Sequence, residues 1–351
     1  MTDMTASDPS QKNPSSVRAN QDFERLAGPF RREIKVHCYR MLGSLHEADD
    51  LVQETFLRAW RSFHSFDGSG SFRAWLYKIA TNACLNALES RKSAKRLMPD
   101  QLGGPLTGPI KDIPGAPATD VAWLEPYPDS DIQGVADDAP NPEARYASRE
   151  AVQLAFVATI QQLPPRQRAA LLLCDVLGWA TAEAAALLGG STASINSALQ
   201  RARETLNKRY PDGRPQVLDR PNPVHQQLLG RYLKAWESHD VDGFVALLKE
   251  DAEVTMPPWL QWFVGREAVR SFFAMVWKTC AGLHLVATSA NGQPAFAVYE
   301  RNATDGTWAA HSIHVLTLEH DTIAALTLFL EPRLFQAFGL PLSLSPDVAN
   351  G

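Results

Sequence analysis

Between Phe72 and Arg96 the chain reads FRAWLYKIATNACLNALESRKSAKR. Trp75, Tyr77, Lys78 and Asn82 fall within two turns of one helical stretch, and Arg91, Lys92, Lys95 and Arg96 follow. Rings stack on bases, amides bond to base edges and cations meet phosphates, so this combination suits a surface that holds single-stranded nucleic acid. A second set, Ser194, Asn196, Ser197, Gln200, Arg201 and Arg203, occupies one side of a helix whose other side is Ile195, Ala198, Leu199, Ala202 and Leu206. Amides there suit adenine and hydroxyls several bases, while guanidinium groups position on phosphate. A third set, Asp50, Gln53, Glu54, Leu57 and Arg58, mixes charge with leucine opposite an apolar stripe of Val52, Thr55, Phe56, Ala59, Trp60 and Phe63. Leu51 and Leu57 beside ordered charges read as a face for a protein partner, with a merely solvated face as the alternative. All three sets do binding chemistry, and none makes or breaks a covalent bond.

Catalytic and metal chemistry find less support. Cys38, Cys84, Cys174 and Cys280 are far apart, so no zinc spacing and no disulfide framework is expected. The adjacent His37 and Cys38 read as coincidence, and no metal or cofactor is expected. Near the C-terminus Tyr299, His311, His314, Asp321 and Glu331 are polar groups in strand-like sequence. His311 and His314 differ by an odd number, which in a regular strand puts them on opposite faces. Trp259, Trp262, Phe263 and Trp277 are either packed core or the wall of a small-molecule cavity, so Trp259, Trp262, Tyr299 and His311 are the candidate ligand-pocket residues.

Charge along the chain sharpens the division. The whole carries -5, but residues 1–100 hold 15 Lys/Arg against 12 Asp/Glu, 101–147 hold 2 against 8, 148–218 hold 8 against 5, and 219–351 hold 9 against 14. Two mildly basic blocks therefore alternate with acidic ones, as expected if only the first and third segments meet phosphate. No apolar leader opens the chain and no run of about 18 apolar residues occurs, so a reduced, cytoplasmic protein without a membrane span is expected.

At about 150 residues per domain, 351 residues imply two or three domains. Residues 1–20 are polar and expected to be disordered. Helical periodicity over 21–97, broken at Gly43-Ser44 and around Asp67 to Gly70, forms a first helical domain. Residues 98–142 are rich in Pro, Gly and acidic side chains and read as an extended linker, either a solvated tether or a strand that occupies a path meant for nucleic acid. Residues 143–210 are helical again. Pro165 fits a first helical position, Ala182 to Leu188 is a short helix, Gly189-Gly190 a tight turn, and Ser191 or Thr192 a cap for the next helix. That order is the pattern of a helix-turn-helix, shared with any Ala/Leu-rich helical hairpin. A second linker, 211–223, leads to 224–340, where helices from Val224 to Lys249 and Arg266 to Trp277 accompany strands at Ala252 to Met256, Leu283 to Thr288, Ala295 to Glu300, Trp308 to Leu318 and Thr322 to Leu330. Asn291-Gly292 and Asp305-Gly306 are turn signals. Three helices on a curved antiparallel sheet are expected, followed by a tail over 341–351.

The order EADDLVQETFLRAWR, a Gly-containing turn and FRAWLYKIATNACLN resembles the second conserved region of bacterial sigma factors of the extracytoplasmic-function (ECF) group within the sigma-70 family. LPPRQRAALLLCDVLGWATAEAAALLGGSTASINSALQRARETL resembles region four of the same family, with one departure: the first Arg of the recognition helix is Arg201, later than is usual. LGRYLKAWESHDVDGFVALLKEDAEVTMPP and GREAVRSFF resemble the SnoaL-like branch of the NTF2-like superfamily. The resemblance implies a multidomain fold: two all-α sigma domains, a helical bundle and a helix-turn-helix, followed by an α+β cone-like domain. It implies a sigma factor, not an enzyme, that binds core RNA polymerase (β′ and β subunits) through Asp50, Gln53, Glu54, Leu57 and Arg58. Trp75, Tyr77, Lys78, Asn82, Arg91 and Arg96 would meet the downstream promoter element. Ser194, Asn196, Ser197, Gln200, Arg201 and Arg203 would meet the upstream one. The third domain would regulate through intramolecular contact with the sigma domains, with an anti-sigma factor or a small-molecule ligand as further partners. Two other readings stay open: a ligand-responsive helix-turn-helix regulator that acts without polymerase, and an enzyme built on the third domain.

Overall fold

The computed structural model describes residues 14–66, 68, 71–91, 95–112, 115–132, 151–209 and 223–347. The expectations for residues 1–13, for Asp67, Ser69 and Gly70, for Lys92, for the linker after Ile132 together with residues 143–150, for residues 210–222 and for the last four residues lie outside the described residues. Helix α1 (Pro14–Ala27) already begins within the stretch expected to be disordered.

Three further helices, α2 (Arg31–Leu42), α3 (Leu45–Ser62) and α4 (Phe72–Glu89), complete the first bundle. Their ends are set by local chemistry. Gly43 ends α2 in the left-handed region at φ 67, and Ser44 caps α3 by accepting the Glu47 N–H. Gly43 is also required sterically, since a Cβ there would lie 2.9 Å from Leu124 Cδ1. Ser71 caps α4 in the same way as Ser44 caps α3.

After a short helix α5 (Asp129–Ile132) the chain re-enters as α6 (Leu154–Ile160), α7 (Pro165–Leu171, continued as a π-helical turn to Val176), α8 (Thr181–Leu188) and α9 (Thr192–Arg209). Gly189 closes α8 at φ 63, and Ser191 and Ser194 bond reciprocally to open α9. The helix-turn-helix follows from these caps.

The C-terminal domain contains α10 (Pro223–Glu237), α11 (Val241–Val245), α12 (Arg266–Val276) and a short α13 (Leu334–Ala337). Its sheet consists of β1 (Leu248–Thr255), β2 (Trp262–Val264), β3 (Leu283–Ala290), β4 (Gln293–Arg301), β5 (Trp308–Glu319), β6 (Thr322–Phe329) and β7 (Ser343–Leu344), in the order β2-β1-β6-β5-β4-β3 with β7 on β5. The expected all-antiparallel sheet is corrected at one place: β1 pairs with β6 in parallel. A chain that leaves β1 and returns only after four intervening strands can meet it in either direction, so hairpin signals do not decide that pair.

Alternation along β4 places Phe296 and Val298 inside the cone, with Tyr232, Trp236 and Phe273. Ala295, Ala297 and Tyr299 point outward and join a buried cluster that continues into both helical domains. One apolar core thus crosses all three domains, and a second fills the cone.

The described residues between 95 and 128 do not behave as a solvated tether. Leu97 bonds with Ala122 and Leu124, Leu106 pairs with the edge strand β2, and Ile110 N donates to Ser271 Oγ on α12. Leu124, Glu125 and Tyr127 are buried. The segment lacks a core of its own and orders by borrowing a sheet edge and two helical surfaces.

Candidate functional site

The face predicted for a protein partner lies on α3. Asp50, Gln53, Leu57 and Arg58 are exposed, Leu57 at 55 %. Glu54 is half-buried and pairs with Arg58 at 2.5 Å. Leu51 is different, since it packs partly against the bundle core. Leu57 is therefore the apolar side chain of this face that the bundle leaves uncovered.

The residues predicted for opened DNA divide into two groups. Lys78 and Asn82 are exposed on α4. Trp75 is half-buried against Phe66 and Phe72, at 5.3 and 5.4 Å between ring centroids. It shares with Lys78 a groove whose far wall is Trp179, Glu183 and Leu187 of the helix-turn-helix domain. Tyr77, in contrast, is 1 % exposed. Its ring meets Trp179 edge-on at 5.7 Å and its hydroxyl donates to Glu33, which also holds Arg73 in a fork. The helical period of α4 brings Tyr77 onto the side where the second helical domain packs, so the expected surface position is corrected. Burial and the Glu33 carboxylate push its pKa above the ordinary phenol range. Arg91 and Arg96 are also committed internally. Both pair with Glu47 of α3, and Arg96 donates to Trp123 O at 2.8 Å.

On α9 the predicted residues Asn196, Ser197, Gln200, Arg201 and Arg203 are exposed along one face. Two of them have other engagements. Arg203 forms a two-pronged pair with Asp175 at 2.7 and 2.9 Å, and Gln200 donates to Glu204. Ser194 is exposed too, but its hydroxyl donates to Ser191 O at 2.7 Å as part of the helix cap.

A buried polar junction joins the domains, and its pairing was not foreseen from sequence. Asn291, at the β3–β4 turn, is fully buried with φ 57. Its Nδ2 donates to Tyr39 Oη of α2 at 2.8 Å and to Val152 O before α6 at 2.7 Å. Its Oδ1 accepts Tyr127 N–H, and its own N–H donates to Tyr127 O. One side chain thereby contacts the first bundle, the linker and the approach to the second helical domain. The Asn-Gly turn signal located the residue, but only the packing revealed the partners.

Two more groups complete the junction. Glu125 accepts from Ser44 Oγ, Leu45 N and His46 N at the start of α3, and lies 3.1 Å from His46 Nδ1. Burial alone would raise its pKa, but His46, Arg96 and Ser44 more than offset this and hold it below its ordinary range. Arg168 of α7, fully buried, donates to Met41 O at the end of α2 and to Gln161 Oε1, Gln161 O and Leu163 O. Gln161 Nε2 in turn donates to Arg40 O. The last carbonyls of α2 are thus capped by side chains of the second helical domain, with a cation at the negative end of the helix dipole. Burial lowers the Arg168 pKa to about 9, which leaves it charged at neutral pH.

In the C-terminal domain a cavity of about 250 Å³ is lined by Trp259 and His311, but not by the other two candidate residues, Trp262 and Tyr299. Trp262 turns to donate its indole N–H to Gly103 O of the linker, and Tyr299 lies on the outer face with its hydroxyl on Pro341 O. His314 lines the cavity together with His311, against the odd-number rule. The ladder explains this: Val298 pairs with Ser312 but Tyr299 with Ala310, so His311 is an extra residue in β5. A bulge of one residue turns His311 to the face of its neighbours.

Among the described residues no group of three metal-ligating side chains comes together, and no helix is long and apolar enough to cross a membrane.

Comparison with known proteins accounts for all three domains. Family models for sigma-70 region 2, sigma-70 region 4 and a SnoaL-like domain match residues 26–94, 153–206 and 229–326. The crystal structure of the extracytoplasmic function sigma factor SigJ of Mycobacterium tuberculosis superposes with a TM-score of 0.58 at 24 % identity, covering 92 % of this chain and 99 % of that one. It shares the fold. The SigJ sequence is 28 % identical over 67 % of this chain and 63 % of its own length. The ECF RNA polymerase sigma factor SigG of Mycobacterium tuberculosis is 42 % identical over 340 residues, or 95 % of this chain and 88 % of its own. Identity of that degree through helical domains, linker and cone together leaves one conclusion: the chain belongs to the family of ECF RNA polymerase sigma factors.

Proposed function

We propose that this sigma factor directs promoter recognition by core RNA polymerase in the cytoplasm, and that its SnoaL-like domain holds it closed until a signal releases it. Asp50, Gln53, Glu54, Leu57 and Arg58 bind the β′ and β subunits of the polymerase. Trp75, Lys78 and Asn82 meet the opened downstream element, and Asn196, Ser197, Gln200, Arg201 and Arg203 the upstream duplex. Arg91 and Arg96 join the downstream contact only after leaving Glu47. An anti-sigma factor remains a further partner for the exposed α3 face.

The observation that carries the regulatory part is the three-way engagement of Asn291. While it is in place, Trp179 covers Tyr77, and the solvent-open groove beside Trp75 and Lys78 has the helix-turn-helix domain as its far wall. Two readers of separate DNA elements cannot reach them while packed on each other, so the closed arrangement is a resting state.

Transcription by purified core polymerase with the full chain and with Asn291→Ala tests both parts. Promoter-specific transcript from the variant, several-fold above the wild type, is the expected result. Absence of any such transcript from both proteins removes the sigma assignment of these surfaces, and equal transcript removes the closed resting state.

A further inference from the structure

The linker between Leu97 and Leu124 is a loop whose two ends lie side by side. Leu97 N donates to Ala122 O at 2.9 Å, Leu124 N donates to Leu97 O at 3.0 Å, and Arg96 donates to Trp123 O at 2.8 Å. This root is anchored on the first bundle. The buried Glu125 carboxylate accepts from Ser44 and from the first N–H groups of α3, and Glu125 N donates to Gly43 O at 3.0 Å. Hydrogen bonds to a charged group are roughly twice as strong as neutral ones, and burial removes the water that would compete for them.

The tip of the loop is held by the C-terminal domain, and in a different way. Strand β2 lies at one end of the sheet, with β1 on its inner side. On its outer side Leu106 N donates to Trp262 O at 2.8 Å and Val264 N donates to Leu106 O at 3.1 Å, so the linker joins that edge in parallel. Around this contact Trp262 Nε1 donates to Gly103 O at 2.8 Å, Ile110 N to Ser271 Oγ at 2.7 Å and Ala118 N to Pro258 O at 2.9 Å. All of these bonds are neutral. Leu106 and Ile110 are half-buried against the cone core, whereas Gly103 to Pro105 and Thr107 to Pro109 are exposed. Two half-buried side chains with exposed backbone around them make a contact of low local stability.

We propose that the outer edge of β2 is a strand-addition site that residues 103–118 of the linker fill and vacate, and that the loop stays rooted on the first bundle when the domains part. The inference rests on the closed resting state proposed above and names the contact that yields first. In the closed chain the tip is a tethered ligand of this edge, at an effective concentration on the order of millimolar, so a free peptide of the same sequence competes poorly until the tethered copy is removed.

Hydrogen exchange on the full wild-type chain tests the order of release. The amides of Leu106, Ile110 and Val264 are expected to exchange about tenfold or more faster than those of Leu45, Leu97 and Leu124. Equal protection at tip and root overturns the proposal. A labelled synthetic peptide of residues 103–118, GGPLTGPIKDIPGAPA, tests the site itself by fluorescence anisotropy. Leu106→Asp in the full chain vacates the edge, and this variant should bind the peptide about tenfold more tightly than the wild type does. The peptide carrying the same Leu→Asp change should bind neither chain. No binding of the unaltered peptide by the Leu106→Asp chain, or equal binding by the two chains, also overturns the proposal. Transcription with Asn291→Ala is read separately: a chain that this substitution activates but whose Leu106→Asp form binds no peptide loses the exchangeable strand and keeps its closed resting state.

Discussion

Arg168 carries a full charge in a site without solvent, and its position is tolerable because backbone and amide oxygens surround its two terminal nitrogens. Replacing it by Leu would leave Met41 O and the Gln161 amide unsatisfied inside the interdomain core. Arg168→Leu is expected to destabilise the chain by about 3 kcal/mol, measured by urea unfolding. Leu57 behaves in the opposite way. It is more than half exposed, so Leu57→Asp should change stability by less than about 0.5 kcal/mol. The same change should weaken core-polymerase binding tenfold or more in a pull-down or calorimetric titration. Unchanged affinity would return that face to an ordinary solvated surface. Tyr77 separates structure from recognition on α4: Tyr77→Phe loses one bond to Glu33 and about 0.5–1 kcal/mol.

Helix α3 shows how an element can be held by a distant piece of chain. Its first N–H groups need acceptors, and Ser44 supplies one, but Glu125 of the linker supplies the rest. The helix that carries the residues proposed to meet the polymerase therefore has an end fixed by the linker. The sign of the pH effect follows. The Glu125 pKa is depressed in the folded chain, so its contribution is present above the ordinary 4.5 and is lost as pH falls through the lower folded value. Thermal unfolding of wild type and Glu125→Gln from pH 3 to 7 should show the wild type more stable near neutrality, with the gap closing below about pH 4.5. A constant gap across that range would mean that the carboxylate charge is not what holds α3. Element by element, β5 makes a similar point: its bulge at His311 decides which side chains reach the cavity, and no turn residue marks it.

At the scale of the whole molecule, the outer face of the sheet and both helical domains share one apolar core. Opening the closed state must expose part of that core as well as break the Asn291 bonds. Asn291→Ala removes the polar bonds and adds the cost of an alanine at φ 57, about 1–2 kcal/mol. The variant should shift toward an expanded particle in small-angle scattering and gain protease sensitivity between residues 95 and 132. An unchanged scattering profile would show that apolar packing alone keeps the domains together.

The sequence by itself determined the elements whose causes are local. Apolar spacing gave α3, α4 and α9, and Gly43, Ser44, Gly189 and Ser191 placed their ends. Family motifs over both helical segments identified the sigma domains, and Asn291-Gly292 marked a turn. Charge blocks separated the basic domains from their acidic neighbours. Tertiary structure decided what depends on which surfaces meet. It buried Tyr77 under Trp179, tied Arg91 and Arg96 to Glu47, and ordered the linker along β2 and α3. It set β1 parallel to β6 and turned His311 inward by a single unpaired residue. The physical reason is range. Caps, turns and helical faces are fixed by residues a few positions apart, whereas a side chain such as Asn291 acquires its role only when Tyr39, 252 positions away, is brought within 2.8 Å.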